Sequence, residues 1–158
     1  MLRDQTERRL AYPASALFDL AAAVERYPQY LPGWISARIT GEQADVRHAE
    51  QWVGFGPVRM RFRFRSKAGL HRPHSIEVTS DDPQFRRMRL LWQFDDGQDC
   101  GCRVCLSIEL ELRSRLLQHG LEQLAARAAP EVLRAFERRA RQVLAPRRLP
   151  GVSADGDR

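Results

Sequence analysis

Apolar and polar residues alternate along the middle of the chain, between Gly33 and Arg113. A period of two is typical of β-strands that bury one face and expose the other. In one run, Val58, Met60, Phe62 and Phe64 share a face, while Arg59, Arg61, Arg63 and Arg65 share the opposite face. The runs MRLLWQF and VCLSIELEL repeat the pattern, and turn-forming residues separate such segments. The pattern predicts a six- or seven-stranded antiparallel sheet.

Helical periodicity appears on both sides of this region. Residues Ser15 to Val24 carry apolar side chains at three-and-four spacing, with Ser15 as the predicted N-cap, and Thr6 to Ala11 precede them as a first strand. After Arg113 the period returns to that of a helix as far as Leu144. Pro130 lacks a backbone N–H, so we expect a kink or a restart near Ala129.

These elements predict an α+β fold in which a curved antiparallel sheet packs against a long C-terminal helix. One or two short helices follow the first strand. A sheet with one apolar face must bury that face, and the long amphipathic helix is the partner large enough to cover it. Because strands of this length twist, a straight helix laid across them leaves a gap. We expect one domain over residues 1–146 and a disordered tail over residues 147–158.

Composition narrows the possible classes of protein. A chain of 158 residues suits a single core, and its apolar stretches are too short to cross a bilayer. The first residues lack the apolar segment of a secretory signal, and the three cysteines suit a reducing compartment. The sequence therefore predicts a cytoplasmic protein. The net charge of +6 favours anionic partners without choosing among them.

Three segments resemble the coenzyme Q-binding, START-like family, whose bacterial members are also called ribosome-association toxins and which belongs to the broader polyketide cyclase/dehydrase-like superfamily. They are VERYPQYLP (Val24 to Pro32), DPQFRRM with LLWQF (Asp82 to Phe94) and AFERRARQVL (Ala135 to Leu144). The resemblance implies a helix-grip fold with an apolar cavity, and ubiquinone or a related isoprenoid as bound ligand, with no covalent cofactor. It also implies that Tyr27, Pro28, Leu31 and Pro32 form the mouth, that Phe85 and Trp92 lie on the sheet side, and that Phe136, Glu137 and Arg139 lie on the closing helix.

The candidate ligand-binding residues are the large apolar side chains of the predicted inner surfaces. They are Tyr27, Pro28, Leu31, Trp34, Phe62, Phe64, Phe85, Trp92, Phe94, Leu121, Leu124 and Phe136. The alternative is that the same side chains fill an ordinary core. The corner containing Tyr27, Tyr30 and Trp34 either gates a pocket, dips into a membrane interface or is a packed loop.

The exposed arginines Arg59, Arg61, Arg63 and Arg65 form a candidate anion-binding face for ribosomal RNA or phospholipid heads. The alternative is cross-strand pairing of the arginines on the outward-facing side of the sheet with Glu77, Glu109 and Glu111. Because no RNA-recognition motif accompanies the arginines, we expect no sequence-specific nucleic-acid binding.

Neither a metal site nor a catalytic site is expected. Cys100 and Cys102 point to one face of a strand and Cys105 to the other, so the three sulfur atoms cannot meet at one ion. The histidines, which are His48, His71, His74 and His119, show no recognisable pairing with a nucleophile or carboxylate.

Three functional hypotheses follow. The first is a non-enzymatic carrier that binds a polyisoprenoid quinone and delivers it in support of respiratory electron transport, in peripheral contact with the cytoplasmic side of the inner membrane. The second is a ribosome-association protein that binds the large subunit through its arginine face and blocks subunit joining. The third is a cyclase- or dehydratase-like enzyme that uses the same cavity.

Overall fold

The computed structural model describes residues 1–55, 60–97, 101–124 and 128–144, without the side chains of residues 55, 60, 123, 124 and 128. Seven strands form one sheet. They are β1 (Leu2–Leu10), β2 (Trp34–Gln43), β3 (Val46–Phe55), β4 (Met60–His71), β5 (Ser75–Thr79), β6 (Phe85–Asp96) and β7 (Cys102–Leu112). The helices are α1 (Ala14–Ala22), a 3-10 helix (Val24–Gln29), α2 (Arg115–Leu124) and α3 (Ala128–Val143).

Every strand pairing is antiparallel, and the strand order is β1-β7-β6-β5-β4-β3-β2. Strands β2 to β7 follow one another as a meander, and β1 crosses over to pair with β7. The curved sheet packs against the C-terminal helices, with α3 against β1 and β7 and α1 against β5 and β6. The predicted α+β helix-grip architecture is therefore confirmed.

The sheet has an inner face, which meets the helices, and an outer face. On β6 and β7 the inner residues Trp92, Phe94, Val104 and Leu106 are at most 1% exposed. On β4, Phe62 and Phe64 turn inward, while Arg61, Arg63 and Arg65 are exposed. The predicted alternation is confirmed for these residues. The side chains of Val58, Arg59 and Met60 lie outside the described part of the chain.

The apolar interior consists of two clusters. The larger joins α1 and α3 to the inner face of β6 and β7, around Trp92, Phe94 and Phe136. The smaller cluster lies at the other end of the inner face and contains Phe64, Phe85 and Leu112, with Phe62, Leu117 and Leu121 packed against it.

Strand β5 is only 5 residues long, so β4 and β6 are left without a strand between them beyond its end at Thr79. Residues 80–84 bridge the gap through side chains. The Ser80 hydroxyl donates to the carbonyl of Arg65, and Gln84 Nε2 donates to the carbonyl of Arg63 at 2.7 Å. These bonds replace the backbone pairing that a longer β5 would supply.

The structure corrects some predicted boundaries. Strand β1 begins at Leu2 rather than Thr6. Helix α1 begins at Ala14, its N-cap position is Pro13, and no side chain caps it, so Ser15 is not the N-cap. The extended backbone that Pro13 favours lets the helix begin one residue earlier.

The C-terminal helical region has two described segments, α2 and α3, and Pro130 lies in the first turn of α3. The missing N–H of proline costs nothing there, because first-turn N–H groups have no intrahelical partner. A kink or a restart near Ala129 was predicted; α3 begins at Ala128, and residues 125–127, which would show the path of the chain between α2 and α3, lie outside the described residues. Asp4 of β1 accepts a hydrogen bond from the backbone N–H of Ala129 at 3.1 Å, which anchors the start of α3 to the sheet.

Within the described ranges, no helix is long and apolar enough to cross a membrane. The predicted tail, residues 147–158, lies outside the residues that the structure describes.

Candidate ligand-binding cavity

A cavity of about 390 Å³ lies between the inner face of the sheet and the C-terminal helices. Its walls are mostly apolar side chains from six strands and both C-terminal helices, including Leu2, Trp34, Val53, Phe62, Phe64, Phe85, Met88, Leu90, Ile108, Leu110, Leu112, Leu121 and Val132. The lining also includes the exposed residues Pro32, Gly33 and Glu131, which mark the rim.

The rim depends on a close approach of two backbones. Gly33 has φ +84°, which L side chains rarely adopt, and a Cβ there would lie 3.0 Å from the carbonyl oxygen of Gly54. The Gly33 carbonyl accepts a hydrogen bond from the Gly54 N–H at 2.7 Å. Glycine at position 33 therefore permits this edge of the rim to form.

Three phenylalanines form one wall. Phe85 lies edge-on to Phe62 and Phe64, with ring centroids 5.5 and 5.7 Å away, and Phe62 and Phe64 are 6.2 Å apart. These spacings are typical of favourable aromatic packing. Because Phe62 is only half-buried, its ring presents apolar surface to the cavity.

A narrower recess of about 50 Å³ adjoins this cavity beneath strands β2 to β6. The two spaces share Trp34, Phe64, Met88 and Leu90 as walls. Tyr27, Gln51 and Ser66 line the recess but not the cavity.

A chain of hydrogen bonds crosses the recess. The indole Nε1 of Trp34 donates to Gln51 Oε1 at 2.7 Å, and Gln51 Nε2 donates to Ser66 Oγ at 2.8 Å. Gln51 and Ser66 are only 4% and 6% exposed.

The predicted aromatic corner packs beside the recess. Tyr27 lies edge-on to Tyr30 and Trp34, with centroids 6.0 and 5.7 Å away, and its hydroxyl donates to the carbonyl of Ala21. Burial raises the pKa of Tyr27 well above its usual range, and burial also raises the pKa of Tyr30. Both rings therefore stay neutral at physiological pH. The guanidinium carbon of Arg139 lies 5.4 Å from the centroid of the Tyr30 ring.

The structure divides the predicted ligand-binding residues into two groups. Trp34, Phe62, Phe64, Phe85 and Leu121 line the cavity, and Tyr27 lines the recess. Pro28, Leu31, Trp92, Phe94 and Phe136 line neither space, and the side chain of Leu124 lies outside the described residues. Leu31 is buried in the larger core cluster instead of at the mouth.

Close packing explains why Trp92, Phe94 and Phe136 lie elsewhere. Trp92 stacks on Phe94 with centroids 6.1 Å apart, and its ring is 4.9 Å from that of Phe136. Each of the three is at most 1% exposed. Helices α1 and α3 fill this half of the inner face, so the cavity is confined to the half that α2 and the start of α3 cover.

Sequence reasoning missed Gln51 and Ser66. Both lie in phase with inward residues, Gln51 between Ala49 and Val53 and Ser66 between Phe64 and Ala68. A polar residue at an inward position of an alternating strand was the signal that could have identified them.

The outer-face arginines differ in their partners. Arg87 contacts Glu109 at 2.6 Å and Arg89 contacts Glu77 at 2.9 Å, which is the cross-strand pairing considered from the sequence. The Arg87 hydrogen bond lowers the pKa of Glu109. Arg63 lies 3.5 Å from Glu50. Neither Arg61 nor Arg65 forms a side-chain ion pair within the described residues, although the Asp82 carboxylate accepts a hydrogen bond from the Arg65 backbone N–H at 3.4 Å, and Arg59 lies outside them.

No group of three metal-ligating side chains occurs among the residues that the structure describes. Cys102 is buried on the inner face, whereas Cys105 faces the other way and contacts Gln5 Nε2 at 3.3 Å; Cys100 is not described. His48, His71, His74 and His119 are exposed.

Comparison with known proteins relates this geometry to a family. The profile of the family described as polyketide cyclase / dehydrase and lipid transport matches residues 10–137. Ribosome association toxin RatA of Pseudomonas aeruginosa is 32% identical over 139 residues, which span 88% of this chain and 95% of that protein. The mitochondrial coenzyme Q-binding protein COQ10 homolog B of Xenopus laevis is 24% identical over 92% of this chain and 60% of its own length.

Solved structures show the same fold. A START superfamily protein of Mycobacterium smegmatis superimposes with a TM-score of 0.74 at 15% identity, over 89% of this chain and 98% of its own.

Proposed function

Because the chain belongs to the polyketide cyclase/dehydrase and lipid transport family, we propose that it binds a polyisoprenoid quinone, ubiquinone or a close relative, and delivers it unchanged in support of respiratory electron transport. The observation that carries the proposal is the apolar cavity of about 390 Å³ with its exposed rim. The coenzyme Q-binding name of one relative supports the choice of quinone among apolar ligands.

The volume of the cavity suits part of an isoprenoid lipid. Small-molecule sites typically measure about 300–1,000 Å³ and are mostly apolar. Each buried methylene contributes roughly 0.8 kcal/mol, so a few prenyl units would supply substantial affinity. The rest of a long tail would leave over the rim at Pro32 and Gly33.

The side chains around the cavity favour binding over catalysis. Of the charged residues that line it, Arg89 pairs with Glu77 and Glu109 pairs with Arg87 on the outer face, and Glu131 is exposed at the rim. General acid–base chemistry needs a donor and a base that converge on a bound substrate. No such pair occurs among the described lining residues.

Delivery requires contact between the rim and a membrane. Leu116 on α2 is 83% exposed, and Leu121 on the same helix lines the cavity. We expect α2 to touch the lipid interface through Leu116, because exposed apolar side chains near a cavity favour that environment. A Leu116→Glu variant should transfer quinone between vesicles more slowly while retaining quinone in solution.

The direct test is lipid extraction of the detergent-free purified protein, followed by mass spectrometry. Val53→Phe should fill part of the cavity and reduce the quinone that co-purifies. Val143→Phe adds the same ring at a position that is 49% exposed and outside the cavity, so it should retain the wild-type amount. Absence of quinone from the wild-type extract, or equal amounts in both variants, would contradict the proposal.

The second candidate is binding to the ribosome through the arginine face, with block of subunit joining. It is supported by the exposed side chains of Arg61, Arg63 and Arg65 and by the name of the relative from Pseudomonas aeruginosa. Guanidinium groups on one face can contact several phosphates at once.

Co-sedimentation with ribosomal subunits tests this second function. Arg61→Glu with Arg63→Glu should abolish co-sedimentation, and higher salt should weaken that of the wild type. Arg138→Glu with Arg141→Glu makes the same charge change at exposed positions of α3 and serves as the control. Equal binding by the two double variants would exclude the arginine face as the contact surface.

A further inference from the structure

The inner face of the sheet carries two buried polar side chains among apolar neighbours. Gln51 and Ser66 are the buried polar residues within the described part of the chain, and both line the recess. Burying a polar group is costly unless it is hydrogen-bonded. Apolar side chains at these positions would complete the core, so packing does not explain them.

The direction of each hydrogen bond follows from the chemistry of Trp34. An indole N–H only donates, so the Gln51 atom 2.7 Å from it is the oxygen, and the amide nitrogen faces Ser66. The Ser66 oxygen therefore accepts from Gln51. Its own hydroxyl hydrogen is left over, and no acceptor for it occurs among the described residues.

The other polar side chains at the recess have partners, although Arg47 Nε, which lies 2.9 Å from a carboxylate oxygen of Glu42, makes no hydrogen bond. The hydroxyl of Tyr27 donates to the carbonyl of Ala21, and Arg47 Nη1 donates to the carbonyl of Ala22 at 2.7 Å. No carboxylate is among the described residues that line the recess. The recess therefore offers a hydrogen-bond donor, and a ligand group that complements it must be an acceptor.

We infer that Ser66, held in orientation by Gln51 and Trp34, donates a hydrogen bond to a carbonyl oxygen of the bound lipid. Ser66 thereby selects a carbonyl-bearing head group over a hydrocarbon with the same tail. This inference rests on the proposed function, since it requires an apolar ligand in the adjoining cavity.

The volumes determine how the ligand lies. A recess of about 50 Å³ admits a carbonyl oxygen and its nearest atoms but not a substituted ring. The ring then lies in the larger cavity against the shared walls Phe64, Met88 and Leu90, and the tail runs towards the rim. The head group enters first, and the tail remains nearest to solvent.

The test compares two probes that share one alkyl tail, decylubiquinone and decylbenzene, by titration calorimetry with the delipidated full-length protein. Ser66→Ala should raise the Kd for decylubiquinone roughly fivefold to tenfold, since one hydrogen bond is lost, and leave the Kd for decylbenzene unchanged. Ser36→Ala removes an exposed hydroxyl from β2 and should change neither Kd. Infrared spectra of carbonyl-labelled decylubiquinone should show a lowered stretching frequency in the wild type, and Ser66→Ala should lose this shift.

The outcomes separate the two claims. If the wild type binds decylubiquinone and Ser66→Ala binds it equally well with the same carbonyl frequency, the role of Ser66 is overturned and the carrier proposal stands. Equal losses for both probes would also overturn it, because they would indicate damage to the cavity. If the wild type binds neither probe, the proposed function itself fails.

Discussion

The ring of Phe85 lies edge-on to that of Phe62, with centroids 5.5 Å apart, although their strands are not neighbours in the sheet. Strand β5 ends at Thr79, and the two rings meet beyond its end. The cavity wall is therefore closed at this point by aromatic packing. Truncating a side chain on such a wall should therefore change the free energy of unfolding by a different amount than truncating one in the filled core.

Phe62→Ala should destabilise the protein by about 1–2 kcal/mol, because a half-buried ring at a cavity already lacks neighbours on one side. Phe136→Ala should cost about 3–5 kcal/mol, because Phe136 is 0% exposed and closely packed. Urea unfolding measures both free energies. Equal costs would indicate that the cavity is filled by protein atoms in solution.

Gly33→Ala should destabilise the fold by about 1–3 kcal/mol and reduce ligand retention. The added methyl group would strain a backbone at φ +84° and press on the Gly54 carbonyl. Gly41→Ala is the control, because nothing lies within 4 Å of the corresponding Cβ position. Thermal unfolding of both variants checks the contrast, and similar shifts in Tm would refute the role given to Gly33.

Removing the hydroxyl group of Tyr30 and that of Tyr27 should have different effects on the free energy of unfolding. The Tyr30 hydroxyl is buried with no hydrogen-bond partner within the described ranges, so Tyr30→Phe should be neutral or stabilising by up to about 1 kcal/mol. Tyr27 donates to the carbonyl of Ala21, so Tyr27→Phe should destabilise by about 1–2 kcal/mol. Urea unfolding distinguishes them, and a destabilised Tyr30→Phe protein would mean that its hydroxyl has a partner in solution.

The pair formed by Asp19 and Arg72 makes the stability of the fold depend on pH. Its bidentate hydrogen bonds to Arg72, at 2.8 and 2.9 Å, lower its pKa below the usual value of 3.8. A lowered pKa in the folded state means that the pair contributes fully above roughly pH 4 and that its contribution is lost as pH falls through the folded pKa.

Asp19→Asn should therefore lose stability at neutral pH and show a weaker decline below roughly pH 4 than the wild type. Unfolding midpoints measured across the acid range check this. Asp81→Asn removes an exposed carboxylate that pairs with no arginine of the described chain, and it should follow the wild-type curve. Parallel acid curves for Asp19→Asn and the wild type would contradict the assignment.

Periodicity predicted the faces of the strands because alternation reports directly on burial. The positions of Phe62 and Phe64 on the inner face and of Arg61 and Arg63 on the outer face followed from it.

Periodicity could not separate cavity walls from filled core. Phe64 and Trp92 have equivalent inward phases, but α1 and α3 cover Trp92 and leave Phe64 beside open space. That difference depends on where each helix lies across the sheet, which is a tertiary property. Gln51 and Ser66 were missed for a related reason, since the significance of each polar side chain appears only when neighbouring strands bring the two within 2.8 Å.

The bond between Asp4 and the N–H of Ala129 joins positions 125 residues apart in sequence. Strand β1 is also held by β7, so the first strand cannot take its place until β7 is available, and α3 cannot be anchored until β1 is in place. Forming contacts between such distant positions is slow, because closing a long loop costs conformational entropy. During synthesis, the cavity would therefore be completed late, after the ribosome has produced α3, and a partly made chain would expose its sheet interior to chaperones and to aggregation.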